Sequence, residues 1–191
     1  YERLSAYALR GREKHYFYTF GWSGLISQQR RRKEAMRLYD ALIVEYQALK
    51  QRGITPKIRL IAHSHGGNVI LNTAGIHDLL QKGLNQQPDA THYPDSDHLA
   101  SMQQLHAVLS KAQKKLALDH LPLAPFCIDE IILMGTPIQP ETLPFCLSPF
   151  FKKIYNFYSD DDIIQSMDWV STRRSYSEKR ITFSSVAPER P

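Results

Sequence analysis

Cysteine is scarce in this chain, with two in 191 residues, Cys127 and Cys146. They match no metal-ligand spacing, and a single pair does not fix a redox compartment. Cys127 opens an expected strand, where its plain role is that of a small core residue. Long apolar runs are missing as well: none reaches the ~18 residues that a membrane-spanning helix needs. The formal charge of +5 is a weak excess, and much of it sits in one run, Arg30-Arg31-Arg32-Lys33. Nucleic-acid binding asks for a basic face interleaved with aromatics, or for a known module, and neither is present. The run is therefore expected to be a solvated helix end. Peripheral contact with an anionic membrane surface stays open but has no second signal beside it. Repeats and low-complexity segments are lacking too. The chain begins at Tyr1 rather than methionine, so an upstream targeting segment would leave no trace and no compartment is assigned.

What is there is the length of one domain with 42% hydrophobic residues, enough for a sizeable core. Residues 2–10, ERLSAYALR, read as the tail of a helix closed by Gly11. HYFYTF (15–20) is aromatic and β-rich, a buried strand broken by GWSG at 21–24. A long helix is predicted from Ser27 to Gly53, with Ala35, Leu38, Leu42, Tyr46 and Leu49 on one stripe. Gly53 stops it, and Pro56 follows. KIRLIA (57–62) is the next strand, and helical periodicity resumes after Gly66 with Val69, Ile70, Ala74 and Leu79. Two strands joined by one helix form a βαβ unit, which implies a parallel sheet with helices on its faces. The fold class is α/β.

Residues 84–125 interrupt that rhythm with a polar loop and then an amphipathic helix carrying Leu99, Met102, Leu105, Leu109, Ala112 and Leu116. This insertion is a packing helix on its plain reading, a lid or docking surface on the other. Further strands are predicted at 128–135, 152–159 and 180–185, with a helix beginning near Ile163.

The chemistry points to IRLIAHSHGGN (58–68), where an apolar strand ends in Ser64 between two histidines and before two glycines. A strand ending in small-x-Ser-x-Gly and turning straight into a helix is a nucleophile elbow, which thrusts the serine hydroxyl out of a strained turn. Positions two before and two after the serine approach so closely that only small side chains fit, here Ala62 and Gly66. Gly67 eases the helix past the strand. The helix N-terminus favours developing negative charge. The His65 N–H would be one oxyanion donor, a role typically worth ~3 kcal/mol of barrier.

AHSHGGNV resembles the nucleophile motif of the α/β-hydrolase superfamily, in its lipase and serine-esterase branch, with Ala62 where that branch usually has glycine. YFYTFGWSG is similar to the strand and loop before the nucleophile strand, and ILMGTP (132–137) to the strand after it. YNFYSDDDIIQ (155–165) resembles the strand whose end carries the acidic triad member. The resemblance implies a three-layer α/β/α sandwich over 1–191, with a mainly parallel sheet and 84–125 as insertion or lid. It also implies Ser64 as nucleophile and Asp162, at the family's spacing from Ser159, as the acid that orients the base. Asp161 is the near rival. Both compete with a plain reading of SDDD as a helix N-cap cluster. The expected activity is hydrolysis of a carboxylic ester, acyl-lipid or otherwise apolar, through an acyl-enzyme intermediate, with no cofactor and no metal. The substrate is a small-molecule or lipid ester, and oligomeric state is not indicated.

The family's base is a histidine after the acid, and none of the eight histidines lies beyond Asp162. His63 and His65 flank the nucleophile and are expected to diverge from it as wall or packing residues. His77 and His106 fall on predicted helices, while His92, His98 and His120 belong to the insertion. The economical expectation is a chain clipped at both ends, with the second oxyanion donor before Tyr1 and the base after Pro191. One alternative is a hydrolase fold that has lost activity and serves as a binding or scaffold protein. A metal-dependent hydrolase is less favoured, because His63 and His65 are followed by Gly67 and Asn68 rather than further ligands. The loop group His92, Asp95, Asp97 and His98 reads as solvated.

Overall fold

The computed structural model describes residues 3–4, 16–24, 27–83, 87–93, 95–116 and 126–158. Its centre is a parallel sheet in the order β3-β4-β5, made of β3 (Arg59–His63), β4 (Glu130–Met134) and β5 (Ile154–Phe157). Parallel neighbours cannot be joined by a hairpin, so the chain leaves β3 and returns to β4 by way of helices. Those are α2 (Gly66–Lys82) and α3 (Ser96–Leu116). The α/β class with a parallel sheet is the class expected from the sequence.

Register sorts the side chains by face. Leu60, Ile131 and Ile154 align in one row and Ala62, Leu133 and Asn156 in the next, all on the face toward the helices. Ile131 and Leu133 are fully buried. The opposite face carries Ile61–Ile132–Tyr155 and His63–Met134–Phe157, with an Arg59–Glu130 ion pair at one end. There Ile61 and Phe157 are each 60% exposed. Strands with apolar residues on both faces suit a sheet covered on both. Among the described residues one face is covered.

Helix α1 (Gln28–Gln51) buries Ala35, Leu38, Tyr39, Ile43 and Leu49, a stripe wider than the expected one and turned toward Tyr39 and Ile43. It ends where predicted. The Gly53 N–H bonds Lys50 O at 2.9 Å and the Ile54 N–H bonds Leu49 O at 3.0 Å, a Schellman pair made possible by φ 73° at Gly53. Helix α2 is buried over every position from Gly67 to Ile76, wedged between the sheet, α1 and α3. At Gly75 a Cβ would lie 2.6 Å from Leu105 Cδ1 and 2.7 Å from Phe145 Cζ. That glycine lets α3 and the 3-10 turn at Leu143–Leu147 close onto α2. Met102, Leu105 and Leu109 of α3 are buried in this contact, so this part of its apolar stripe packs into the core. No helix among the described residues is long and apolar enough to cross a membrane.

Three expectations need correction. The aromatic segment contributes β2 (Phe17–Tyr18), which is exposed and pairs antiparallel with β1 (Arg3–Leu4), not with β3. Strand propensity marked an extended segment without naming its partner, and the βαβ unit is instead β3 to β4. Arg3 and Leu4 are strand, where a helix tail was expected. Arg31 and Arg32 are 1% and 5% exposed, so only Arg30 and Lys33 of the basic run face solvent, and the inner pair is buried. The helix expected near Ile163 and the strand at 180–185 lie outside the described residues.

His77 lies half-buried against the core aromatics. It stacks on Phe150, ring centroids 4.3 Å apart, and its Nδ1 is 2.8 Å from the Tyr39 hydroxyl. Burial pushes the Tyr39 phenol well up, so it stays protonated and donates to a neutral imidazole. Burial also lowers the His77 pKa, with Asp78 opposing more weakly. A folded pKa below the ordinary 6.5 means that the fold resists protonation. Stability is then full above the unfolded pKa and falls as pH drops from there through the folded one. Chemical denaturation at pH 7 and pH 5 should show a loss in the wild type that is smaller in His77→Gln. An equal loss in both proteins would remove His77 as its source.

Candidate functional site

The ladder between β3 and β4 runs one residue past the strand, because the Ser64 N–H donates to Met134 O at 2.9 Å. Ser64 then takes φ 52°, the only positive φ at a non-glycine residue among those described. The chain turns through His65, which is already helical at φ −59° and ψ −13°, into α2. The Gly67 N–H donates back to Ser64 O at 3.1 Å, and the Asn68 N–H to His65 O at 3.1 Å. A serine in the left-handed region costs about 1–2 kcal/mol relative to ordinary backbone. Ser64 is partly exposed, and its hydroxyl makes no hydrogen bond among the described residues. His63, on the uncovered sheet face, is exposed. Neither flanking imidazole is bonded to the serine.

Crowding around the turn is distributed differently from expectation. A Cβ on Gly66 would meet Ala62 Cβ at 3.6 Å and Trp22 Nε1 at 3.7 Å, ordinary contacts that leave room for one methyl group. A Cβ on Gly67 would overlap the Thr136 side chain, whose buried hydroxyl has no hydrogen-bond partner among the described residues. The absolute demand for glycine therefore falls one residue later than the motif suggests. Trp22 belongs to the strand-breaking GWSG, within the stretch YFYTFGWSG that resembles the loop before a nucleophile strand. It brings that loop against the elbow, and the large aromatic between two glycines was the available signal.

Beside the elbow lies a buried polar group that sequence reading missed. The Asn68 side chain donates to Pro137 O at 2.8 Å, and its Oδ1 accepts from Thr142 Oγ1 at 2.5 Å and from the Gln139 N–H at 3.4 Å. These bonds fasten the loop after β4 to the first turn of α2. Arg31, in the first turn of α1, donates from Nη2 to Gln139 Oε1 and lies 3.7 Å from Glu141 Oε1. Its Nη1 is 3.5 Å from His65 Nδ1. Burial lowers the Arg32 pKa, Glu141 opposing and Arg31 reinforcing. The guanidinium still stays charged. Two buried cations and one carboxylate thus sit at the base of the turn.

The remaining candidates fall as follows. Asp162, Asp161 and Ser159 lie outside the described residues, as do His15 and His120. His106 is buried on α3. His98 packs edge-on against Phe145 at 5.7 Å. In the loop group, Asp95 accepts from the His98 N–H at 2.7 Å and so caps α3, while His92 pairs with Asp89 at 3.0 Å. Among the described residues no three His, Cys, Asp or Glu side chains gather as metal ligands would. Cys127 and Cys146 are free, and burial pushes the Cys146 thiol up to about 12. No family model matches the chain, and no curated protein or solved structure matches it either.

The two glycines give a direct check on the turn. Gly67→Ala should cost about 1–3 kcal/mol, because the Thr136 loop must move. Gly66→Ala should change stability by less than about 1 kcal/mol, the scale of the helix propensity difference. Thermal unfolding of the pair would contradict this packing if both substitutions cost the same.

Proposed function

We propose that this chain forms most of a serine hydrolase of the α/β-hydrolase type, acting on an apolar carboxylic ester. The observation that carries the reading is the backbone of Ser64, held at φ 52° where a parallel strand turns into a helix. A nucleophile elbow has that local form. The apolar sheet face bearing Ile61 and Phe157 further supports a three-layer sandwich, in which that face is covered as well.

In this mechanism Ser64 Oγ attacks the ester carbonyl while an imidazole takes its proton. The tetrahedral oxyanion lies against the His65 N–H, close to the N-terminus of α2, where the dipole favours negative charge. Collapse expels the alcohol with the proton returned by the imidazole. Water then attacks the acyl-serine by the same route and releases the acid. Asp162 orients the imidazole, and none of the eight histidines of the chain follows it. Likeness to lipase motifs suggests an acyl-lipid substrate, although fold likeness by itself does not choose one.

Two measurements test this. With the natural full-length protein and a p-nitrophenyl ester, Ser64→Ala should abolish turnover. Asp162→Asn should lower kcat by roughly 10⁴, as loss of a triad acid does, while Asp161→Asn costs little. The reverse pattern reassigns the acid. Residues 1–191 alone should hydrolyse the same ester near background, and robust turnover lost on Ser64→Ala would place the base within them. A scaffold role predicts an inactive full-length protein.

A further inference from the structure

Arg31 is an expensive residue for its position. A guanidinium buried to 1% exposure has lost its water, and the effective penalty is several kcal/mol per ion even after relaxation. It sits in the first turn of α1, where the helix dipole disfavours a cation, and it adjoins the buried Arg32. Buried ion pairs are weak contributors to stability, and an apolar side chain of similar volume often serves as well. Its contacts say what the charge accomplishes. One nitrogen holds Gln139, in the loop that Asn68 and Thr142 fasten to α2, and lies 3.7 Å from Glu141 of the same loop. The other holds His65, the residue after Ser64.

A guanidinium has donors and no acceptor, so in this contact the imidazole Nδ1 must accept. The ring proton is then on Nε2. We propose that Arg31 is a positioning residue which holds His65 as the Nε2–H tautomer in a single rotamer and so steadies the Ser64–His65 peptide. The consequence for catalysis rests on the hydrolase reading, in which that peptide supplies the oxyanion N–H. The tautomer does not rest on it. Arg31 touches neither Ser64 nor the reacting atoms, and it acts through His65. A fixed donor needs no rearrangement when charge develops on the oxyanion.

The test begins with ¹⁵N imidazole spectra of the 191-residue protein at neutral pH, His65 being assigned by comparison with His65→Gln. The expected signature is one set of resonances with Nε2 protonated and Nδ1 bare. A protonated Nδ1, or a fast mixture of tautomers, overturns the proposal without any Arg31 variant. Arg31→Met, close in volume and uncharged, should convert the locked signature to an averaged one. Arg31→Lys keeps the charge and should restore Nε2–H in part, and it stands in if Arg31→Met does not fold. A locked signature that survives in a folded variant also overturns the proposal.

For catalysis, Arg31→Met in the full-length protein should lower kcat on an activated ester at least tenfold with KM nearly unchanged. An unchanged kcat alongside a lost tautomer would refute the positioning role. If the wild type has no activity, the hydrolase reading fails instead. The spectra then still decide whether Arg31 sets the ring.

Discussion

A single backbone conformation organises this molecule: Ser64 held in the left-handed region at the carboxyl edge of β3. The adjacent strand offers a comparison inside the same protein. After β4 the chain also turns at positive φ, 56° at Gly135, whose N–H donates to Phe157 O at 2.7 Å as the Ser64 N–H does to Met134 O. Two neighbouring strands thus end in the same way at the same edge of the sheet. Glycine fills one position without strain. The other keeps a residue with a Cβ and a hydroxyl, and carries the associated cost. Relaxing the turn would have required only the loss of that side chain.

The surroundings resist any rearrangement of this corner. Ser64 is tied through its N–H to β4 and through its carbonyl to the first turn of α2. That turn is pressed on the Thr136 loop at Gly67, and the loop is fastened by Asn68, Gln139 and Thr142. Behind it stand Arg31, Arg32 and Glu141, all largely shielded from solvent. Such networks are costly when incomplete and rigid when satisfied. Strain persists only where neighbouring structure over-determines it. Here that over-determination comes from four separate segments.

Local patterns in the sequence were legible where local physics decides them. The period of α1 and its stop at Gly53, the short apolar β3 and β4, and the turn at Ser64 all follow from rules that act within a few residues. Partnership was less legible. HYFYTF is extended at Phe17–Tyr18, as its aromatics suggest, yet nothing in that segment says that it pairs with Arg3 and Leu4. The basic run misled for a related reason. Arg31 and Glu141 are 110 positions apart along the chain, and a charge pair at that separation leaves no periodic trace. Composition favoured a solvated face, and tertiary pairing overrode it. Asn68 was similarly hidden, since its role depends on Pro137, Gln139 and Thr142. Asp162 and its rival Asp161 lie outside the described residues, and the proposed acid rests on the resemblance to the family's spacing.

The strain at Ser64 underlies the chemistry proposed for this turn, and stability measurements on two variants address it most directly. Ser64→Ala removes the hydroxyl and keeps the Cβ that the left-handed conformation disfavours, whereas Ser64→Gly removes both. If φ is positive, as described here, Ser64→Gly should unfold at higher denaturant than Ser64→Ala, by about 1 kcal/mol. In ordinary strand or helix backbone the order reverses, with glycine less stable by roughly 0.5–1 kcal/mol. That reversed order would contradict the elbow and the chemistry built on it.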